Sequence, residues 1–238
     1  MTNERMKRTE ALIGEESMQK LLGSSILLFG LGGVGGYALE ALVRAGVGRF
    51  GIVDFDLVSE SNCNRQILAT SESVGIKKTE AALKRIKSIN PDAVVEVFDC
   101  FADDKNLESI FDQFQPSYVI DAIDTVSAKL AIVAESKKRD VPVITCLGTG
   151  NKLDATKFVI GDIAKSSVCP LARVVRTELR KRNISKVLAL WSTETPSSCV
   201  AEQEHGRHAP ASISYVPAVA GLLLAGHIIR FIIGAEHS

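Results

Sequence analysis

The glycine-rich segment Gly30-Leu31-Gly32-Gly33-Val34-Gly35 constrains the fold of this chain more than any other feature. It follows an apolar run over 25–29 and precedes residues 37–45, whose apolar side chains have helical spacing. A second strand-like run ends at Asp54, 19 positions after Gly35. This order of strand, glycine turn, helix and acid-terminated strand is typical of a βαβ unit that binds a nucleotide.

In this interpretation the glycines bring the backbone close to a phosphate at a helix amino terminus, and Asp54 binds ribose hydroxyls. The alternative is that the glycines only let the helix pack closely on the strand. Because dinucleotide-dependent oxidoreductases carry the same motif, it does not identify the nucleotide. The candidate phosphate-binding glycines are Gly30, Gly32, Gly33 and Gly35.

Strand-like and helix-like segments continue to alternate as far as residue 148. This alternation predicts an α/β, Rossmann-like fold with a mostly parallel sheet, extended by antiparallel strands, and helices on both faces. We expect one domain over 1–238, with a nucleotide-binding half over 1–148 and a substrate-side half over 149–238. Residues 192–211 are expected to form a mobile loop, and 213–216 a last strand before the C-terminal helix. The remaining predicted strands cover 94–98, 118–123, 141–146, 157–160 and 186–191, and the predicted helices cover 77–89, 104–114, 126–139 and 171–182.

Composition narrows the class of protein. The 238 residues carry 28 basic and 28 acidic side chains, and 46% are hydrophobic, so the chain is expected to fold and is not a predominantly electrostatic nucleic-acid binder. The five cysteines are scattered without a CxxC pair, and the N-terminus is polar, which favours the cytoplasm. The apolar segment 213–234 is predicted to be a core helix without stable membrane insertion. A peripheral membrane contact and a spanning helix are the alternatives.

A dense group of polar side chains follows the second strand. It contains two carboxylates, two amides and several cations, which suit a triphosphate better than a hydride-transfer cofactor, because phosphate charge must be neutralised before an anion can attack. The alternative is a polar surface loop with incidental charges. The candidate residues are Asp54, Asp56, Asn62, Arg65, Gln66 and Lys78.

Together with Asp121-Ala122-Ile123-Asp124, these motifs resemble the adenylation domain of ubiquitin-activating-type enzymes, whose bacterial members activate sulfur-carrier proteins. A narrower resemblance is to the branch that uses ATP to convert N6-threonylcarbamoyladenosine in tRNA into its cyclic form. Residues 5–10, 148–154, 167–173 and 212–217 carry this second resemblance.

The resemblance implies ATP and Mg²⁺ as cofactors and tRNA carrying threonylcarbamoyladenosine as the substrate. It assigns the ribose to Asp54, the phosphates to Gly33 and to Asn62, Arg65 and Lys78, and Mg²⁺ to Asp124. It also implies a homodimer in which Arg8 reaches the active site of the partner, with Arg5 as a competitor for that role. The implied catalytic residues are therefore Arg8, Arg65, Lys78 and Asp124.

Two reactions remain open after adenylation of a carboxylate. The neighbouring carbamoyl nitrogen closes a ring within the same molecule, or the acyl group of a Gly-Gly-tailed carrier is passed to a thiolate. Cys199, with His205 and His208 nearby, is the candidate thiolate, although a tolerated loop cysteine is favoured, and Cys63 is expected to pack. A sulfur-relay protein partner stays open. The basic segment 171–186 is expected to contact RNA phosphates or to be a solvated helix face.

Overall fold

The computed structural model describes residues 4–198, 200–204 and 207–235, and only the backbone of residues 200–204 and 207–209. Its main sheet has seven strands in the order β3-β2-β1-β4-β5-β7-β6. All neighbours are parallel except β6 and β7. The strands are β1 Ser25–Phe29, β2 Arg49–Val53, β3 Val94–Phe98, β4 Tyr118–Asp121, β5 Val143–Cys146, β6 Phe158–Asp162, β7 Leu188–Ser192, β8 Val200–Glu204 and β9 Arg207–Pro210.

Helices cover both faces of this sheet. The α-helices are α1 Lys7–Ile13, α2 Glu15–Leu22, α3 Gly35–Ala45, α4 Lys78–Ile89, α5 Leu107–Phe114, α6 Val126–Lys138, α7 Pro170–Lys181 and α8 Tyr215–Ile233.

The side chains of β1 show why helices pack on both faces of the sheet. Leu27 and Phe29 point into one apolar core, which α5, α6 and α7 complete. Ile26 and Leu28 point into the other, which α2, α3, α4 and α8 complete. Because alternate residues of a strand face opposite sides, a central strand that is apolar throughout requires a cover on both faces. The predicted fold class is confirmed, with a single antiparallel strand, β6, extending the sheet.

The strand order places a switch point, and with it a crevice, outside the carboxyl ends of the neighbouring strands β1 and β4. The chain runs outward from β1 to β2 and β3, then returns to the other side of β1 to start β4. At such a switch point the loops leaving the carboxyl ends of the two strands diverge, and ligands of open α/β sheets bind there. The loop after β1 is the glycine segment, and the loop after β4 carries Asp124.

Three local expectations need correction. Helices α1 and α2 were not predicted, because they are short and mostly polar. Residues 213–216 do not form a strand, since α8 begins at Tyr215; four apolar-rich residues cannot distinguish a strand from a helix start. The predicted loop 192–211 contains the antiparallel hairpin β8–β9. Cys199 and His205 lie outside the described residues, and so does the side chain of His208.

Helix α8 is long and apolar enough to span a membrane by length and composition, with a mean hydropathy of 2.0 over 18 residues, and 44% of that window is buried inside the fold. One face packs on the sheet and on α3 through Ala220, Leu224 and Ile228. Leu222 and Leu223, by contrast, are exposed. The expectation of a core helix therefore holds for one face of α8 only.

Candidate active site

The glycine turn is built so that only glycine fits at two of its positions. Gly30 has φ +89°, and a Cβ atom there would lie 2.8 Å from the carbonyl oxygen of Ala122. A Cβ atom on Gly35 would overlap the carbonyl oxygen of Gly30. The turn therefore closes tightly on itself and against the loop after β4. The amino end of α3 faces the crevice, and although the N–H of Gly36 already donates to the carbonyl oxygen of Gly32 at 2.9 Å, the positive end of the helix dipole favours an anion there.

The other two candidate glycines lie against the segment that follows β2. A Cβ atom on Gly33 would lie 3.3 Å from the carbonyl oxygen of Arg65 and 3.1 Å from Cβ of Pro217 in α8. The corresponding atom on Gly32 would lie 3.9 Å from Nε2 of Gln66, whose side chain is buried. The structure thus brings the glycine turn and residues 62–66 together, as the sequence predicts.

Asn62 and Arg65 both make local contacts. The buried Oδ1 atom of Asn62 accepts a hydrogen bond from the backbone N–H of Ser59 at 3.2 Å, which leaves the amide group for a ligand. The guanidinium group of Arg65 is half-buried and donates through Nη1 to the carbonyl oxygen of Ser61 and to Oδ1 of Asn64, each at 2.8 Å. Its other N–H groups remain available to a phosphate.

Asp54 braces the glycine turn. Its side chain is buried, and Oδ2 accepts a hydrogen bond from the backbone N–H of Leu31 at 2.7 Å. Oδ1 accepts a second from the N–H of Asp56 at 2.9 Å. Burial raises the pKa of the Asp54 carboxyl above its usual 3.8, while Lys78 and these two N–H groups oppose the rise. Each oxygen keeps a second lone pair, so the carboxylate can still accept from ribose hydroxyls.

Lys78 and Asp56 form the principal ion pair of the site. The Nζ atom of Lys78 lies 2.6 Å from Oδ2 of Asp56, and the lysine side chain is 8% exposed against 45% for the aspartate. The backbone N–H of Lys78, at the start of α4, also donates to the carbonyl oxygen of Asp56 at 3.0 Å. The ammonium group is therefore fixed close to both Asp56 and Asp54, at the exit of β2.

Asp124 lies on the opposite side of the crevice, in the loop between β4 and α6. Its carboxylate is exposed, and Oδ1 accepts a hydrogen bond from the hydroxyl of Thr125 at 3.3 Å. A carboxylate with a free oxygen beside a polyphosphate site is the ligand that Mg²⁺ prefers, since this ion takes one or two protein carboxylates and completes its shell with phosphate and water. Asp124 therefore fits the predicted metal role.

Sequence reasoning missed the buried polar network beneath this loop. Asp121, at the end of β4, and Lys129, in α6, have no solvent exposure, and Lys129 donates to Oδ2 of Asp121 at 3.0 Å. Lys129 also donates to the carbonyl oxygen of Cys146 at 2.6 Å, and the hydroxyl of Thr145 donates to Asp121. Oδ1 of Asp121 accepts from the N–H of Ile123 at 3.2 Å. The available signal was a lysine inside an apolar stretch, eight positions after an aspartate that ends a strand.

Arg8 is not brought to the site of its own chain. Arg8 is exposed on α1, and nearby Met6 packs against Gly46, with Sδ 3.4 Å from the position of a Cβ atom there. Gly46 follows the carboxyl end of α3, whereas the glycine turn is at its amino end. The 11 residues of α3 span about 16 Å at the usual helical rise.

The cysteines near the site differ in exposure. Cys63 is exposed, so the expectation that it packs is wrong. Cys146 is fully buried at the end of β5, and burial raises the pKa of its thiol to about 12. A buried thiol of this kind is not a nucleophile at neutral pH.

A glycine turn at a switch point, a buried acid at the end of β2, clustered cations and an exposed carboxylate are the features of a nucleotide-binding α/β protein suited to a polyphosphate. The chain belongs to the ThiF family, whose model matches residues 6–238. This membership decides against the oxidoreductase that the glycine motif alone allowed.

Individual relatives agree with this assignment. The tRNA threonylcarbamoyladenosine dehydratase of Bacillus subtilis (strain 168) is 40% identical over 234 residues, covering 93% of this chain and 92% of the relative. The solved structure of E. coli tRNA N6-threonylcarbamoyladenosine dehydratase in complex with ATP superposes with a TM-score of 0.88 at 32% identity, covering 99% of this chain and 97% of that one. The sulfur carrier protein adenylyltransferase of Thermus thermophilus is 36% identical over 120 residues, covering 50% of this chain and 44% of the relative.

Proposed function

We propose that this chain is an ATP-dependent tRNA threonylcarbamoyladenosine dehydratase. The observation that carries the proposal is the near full-length similarity to a dehydratase, at 40% identity over 93% of the chain. The resemblance to an ATP-bound dehydratase structure and the polyphosphate chemistry of the crevice support it.

In the proposed reaction ATP lies across the crevice between β1 and β4. Asp54 accepts hydrogen bonds from the ribose, and the phosphates follow the glycine turn toward Arg65 and Lys78. Because these cations lie on the β2 side and Asp124 on the β4 side, the triphosphate is held between them. Mg²⁺ bound at Asp124 would supply charge neutralisation for the departing phosphates.

The chemistry then proceeds in two steps. A carboxylate oxygen of the substrate attacks the α-phosphorus of ATP, the bond to pyrophosphate breaks, and an acyl-adenylate forms. The carbamoyl nitrogen of the same modified nucleoside attacks the acyl carbon, loses its proton and expels AMP, which closes the ring. Intramolecular attack is favoured entropically and requires no covalent enzyme intermediate. Asn62, Arg65 and Lys78 hold the triphosphate in line, and Arg65, Lys78 and Arg8 offset the negative charge that accumulates.

Arg8 acts from a partner subunit in this proposal. It is exposed on α1 and lies near the far end of α3 from its own glycine turn, so it can reach a site only on a second copy of the chain. A symmetric homodimer would place each Arg8 beside the phosphates bound by the partner. The exposed position of Arg8 supports this role.

The second candidate function is adenylation of the C-terminal Gly-Gly of a sulfur-carrier protein. Its support is the half-length similarity to a sulfur carrier protein adenylyltransferase. We also propose a cytoplasmic location. A sulfur-relay partner and a peripheral membrane contact through the exposed face of α8 remain secondary proposals.

The decisive experiment supplies purified tRNA carrying threonylcarbamoyladenosine to the enzyme with ATP and Mg²⁺, followed by mass analysis of the nucleosides. The proposed function predicts loss of one water from the modified nucleoside, dependent on ATP. A parallel reaction contains a Gly-Gly-tailed carrier protein and labelled pyrophosphate. Pyrophosphate exchange with the carrier, and no loss of water from tRNA, would favour the second candidate.

A further inference from the structure

We propose that the exposed face of α7 and the residues just after it form the surface on which the sugar-phosphate backbone of the tRNA lies. This inference rests on the proposed function and specifies how its substrate is held. The surface, called here the α7 basic face, consists of Arg173, Arg180, Arg182 and Lys186.

The α7 basic face differs from an ordinary charged helix surface in being unpaired. Within the part of the chain that the structure describes, its four side chains are exposed and make neither an ion pair nor a side-chain hydrogen bond. Several cations on and next to other helices are paired instead: Lys84 in α4 pairs with Glu80, and Arg139, just after α6, pairs with Asp112 and Glu135.

Two other cations of the same segment are excluded from this surface by their contacts. The guanidinium group of Arg176 is half-buried and donates to the carbonyl and hydroxyl oxygens of Ser166. Lys181 pairs with Glu178 at 2.7 Å. Lys181 therefore belongs to an ordinary solvated helix face, and Arg176 has a structural role.

The unpaired cations of α7 lie in a stripe along one face of the helix. Ala172, Val175 and Leu179 are buried against the sheet, so the opposite side of the helix faces solvent. Arg173 and Arg180 are seven positions apart, or two turns, which places them on one face about 10 Å apart along the axis. Arg182 follows at the end of the helix.

This stripe begins at the catalytic edge of the sheet. The Sγ atom of Cys169 caps α7 by accepting from the N–H of Ala172 at 3.5 Å. The same sulfur lies 3.6 Å from the position of a Cβ atom on Gly148, two residues after the end of β5. The end of β5 is tied to Asp121, below the loop of Asp124, through Lys129. The RNA strand on either side of a modified nucleotide that reaches the ATP in the crevice can therefore continue along α7.

The charge pattern fits a nucleic-acid backbone. Phosphate contacts by arginine and lysine position RNA without reading its sequence, and arginine binds phosphate with a planar, two-pronged geometry. Residues 170–186 carry six cations and one carboxylate on a chain whose net charge is zero. Such a local excess is what an enzyme needs to bind RNA without being basic overall.

The test compares two triple variants that lose the same number of charges. R173Q/R180Q/R182Q removes three cations of the α7 basic face. K20Q/K84Q/K138Q removes three exposed lysines of α2, α4 and α6 that pair with nearby carboxylates. Binding of tRNA carrying threonylcarbamoyladenosine is measured on filters at several salt concentrations, and thermal unfolding verifies that both variants fold.

We expect R173Q/R180Q/R182Q to bind tRNA at least tenfold more weakly at low salt, with the slope of log K against log salt reduced by about 2 to 3. The KM for tRNA rises while kcat at saturating tRNA and the affinity for ATP stay near wild type, since these arginines do not touch ATP. The control variant keeps the wild-type salt slope.

Equal tRNA affinities and salt slopes in the two variants would overturn the proposal that the α7 basic face binds tRNA. An acidic protein would then be the partner that fits this surface. Failure of the wild-type enzyme to remove water from tRNA would instead overturn the proposed function. In that case the salt slopes still report whether this surface binds RNA. A wild-type enzyme that binds no tRNA at all would overturn both.

Discussion

The Nζ atom of Lys129 lies 3.0 Å from Oδ2 of Asp121, and neither side chain has any exposure to solvent. Lys129 belongs to α6 and Asp121 ends β4, and further hydrogen bonds of the pair reach Thr145 and Cys146 at the end of β5. The pair therefore ties two parallel strands and a helix together directly below the loop that carries Asp124.

Removing one member of this pair should be costly. Lys129→Met leaves the Asp121 carboxylate buried without its cation, and we expect a loss of about 3 to 5 kcal/mol in the free energy of unfolding. Chemical denaturation measures it. Lys84→Met, which breaks the exposed pair with Glu80, should cost less than about 1 kcal/mol. The double variant D121N/K129M should recover part of the loss, and equal stability of K129M and wild type would contradict the prediction.

Asp124 is predicted to be required for turnover. Asp124→Ala removes the only exposed carboxylate that the structure places in the loop between β4 and α6, and we expect the rate of water loss from tRNA to fall by roughly 10²-fold or more. Asp104→Ala, which removes another exposed carboxylate in the described part of the chain, serves as the control. Single-turnover kinetics with saturating ATP and Mg²⁺ measures both, and comparable rates would remove Asp124 from the mechanism.

Nucleotide binding is predicted to depend on the ionisation of Asp54. Burial raises the pKa of this carboxyl above 3.8, so its ionisation opposes folding, and the stability associated with the neutral form is lost as the pH rises through the folded pKa. Conversely, the ionised form that accepts from the ribose is lost as the pH falls. As the pH is lowered, the ATP affinity measured by calorimetry should therefore begin to fall at a higher pH than it would for an aspartate with the usual pKa.

Asp54→Asn provides the control for this pH dependence. The amide cannot ionise, so the variant should bind ATP more weakly at neutral pH. Its plot of ATP affinity against pH should lack the decline at acidic pH that is assigned to residue 54. If ATP affinity declines at the same acidic pH in wild type and variant, another group controls that decline.

The trans role of Arg8 can be tested by mixing two inactive enzymes. Arg8→Ala and Asp124→Ala should each be inactive as homodimers. A mixed dimer has one complete site, formed by Asp124 of one subunit and Arg8 of the other. After subunit exchange at equal concentrations, half of the dimers are mixed, and activity should return to about a quarter of wild type. No recovery despite verified exchange would contradict the trans arrangement.

Thiol reactivity should follow burial. Cys63 is exposed, whereas burial raises the pKa of Cys146 to about 12. At pH 8 a maleimide should modify Cys63 within minutes and leave Cys146 unmodified until the protein unfolds. Peptide mass mapping measures both sites, and Cys63→Ser should keep wild-type activity. Rapid modification of Cys146 in the folded enzyme would be incompatible with the described packing.

The sequence predicts those parts of the molecule in which local pattern and tertiary environment agree. Every strand of the central parallel sheet was anticipated, because buried strands are short apolar runs bounded by turns. The glycine turn, Asp54 and Asp124 each follow a strand at the edge where α/β sheets bind ligands, as the sequence order suggests, and their roles stay predictions.

What escaped prediction depends on contacts between distant residues. Lys129 becomes a partner of Asp121 only after β4, α6 and β5 have assembled, and no local pattern identifies a fully buried lysine. Helix α2 is stabilised by Met18 and Leu21, its two buried residues, which is too little periodicity for a helix to be inferred. The exposed state of Cys63 likewise depends on how residues 60–66 fold over the glycine turn.

The close approach of Gly30 to the carbonyl of Ala122 has a consequence for how the enzyme responds to its ligands. The glycine turn after β1 and the loop that carries Asp124 abut at this point without an intervening side chain, so a shift of one loop pushes on the other. In the proposed function, phosphates bound at the glycine turn would therefore be mechanically coupled to an ion bound at Asp124. Adenosine, which has no phosphate, would not engage this coupling.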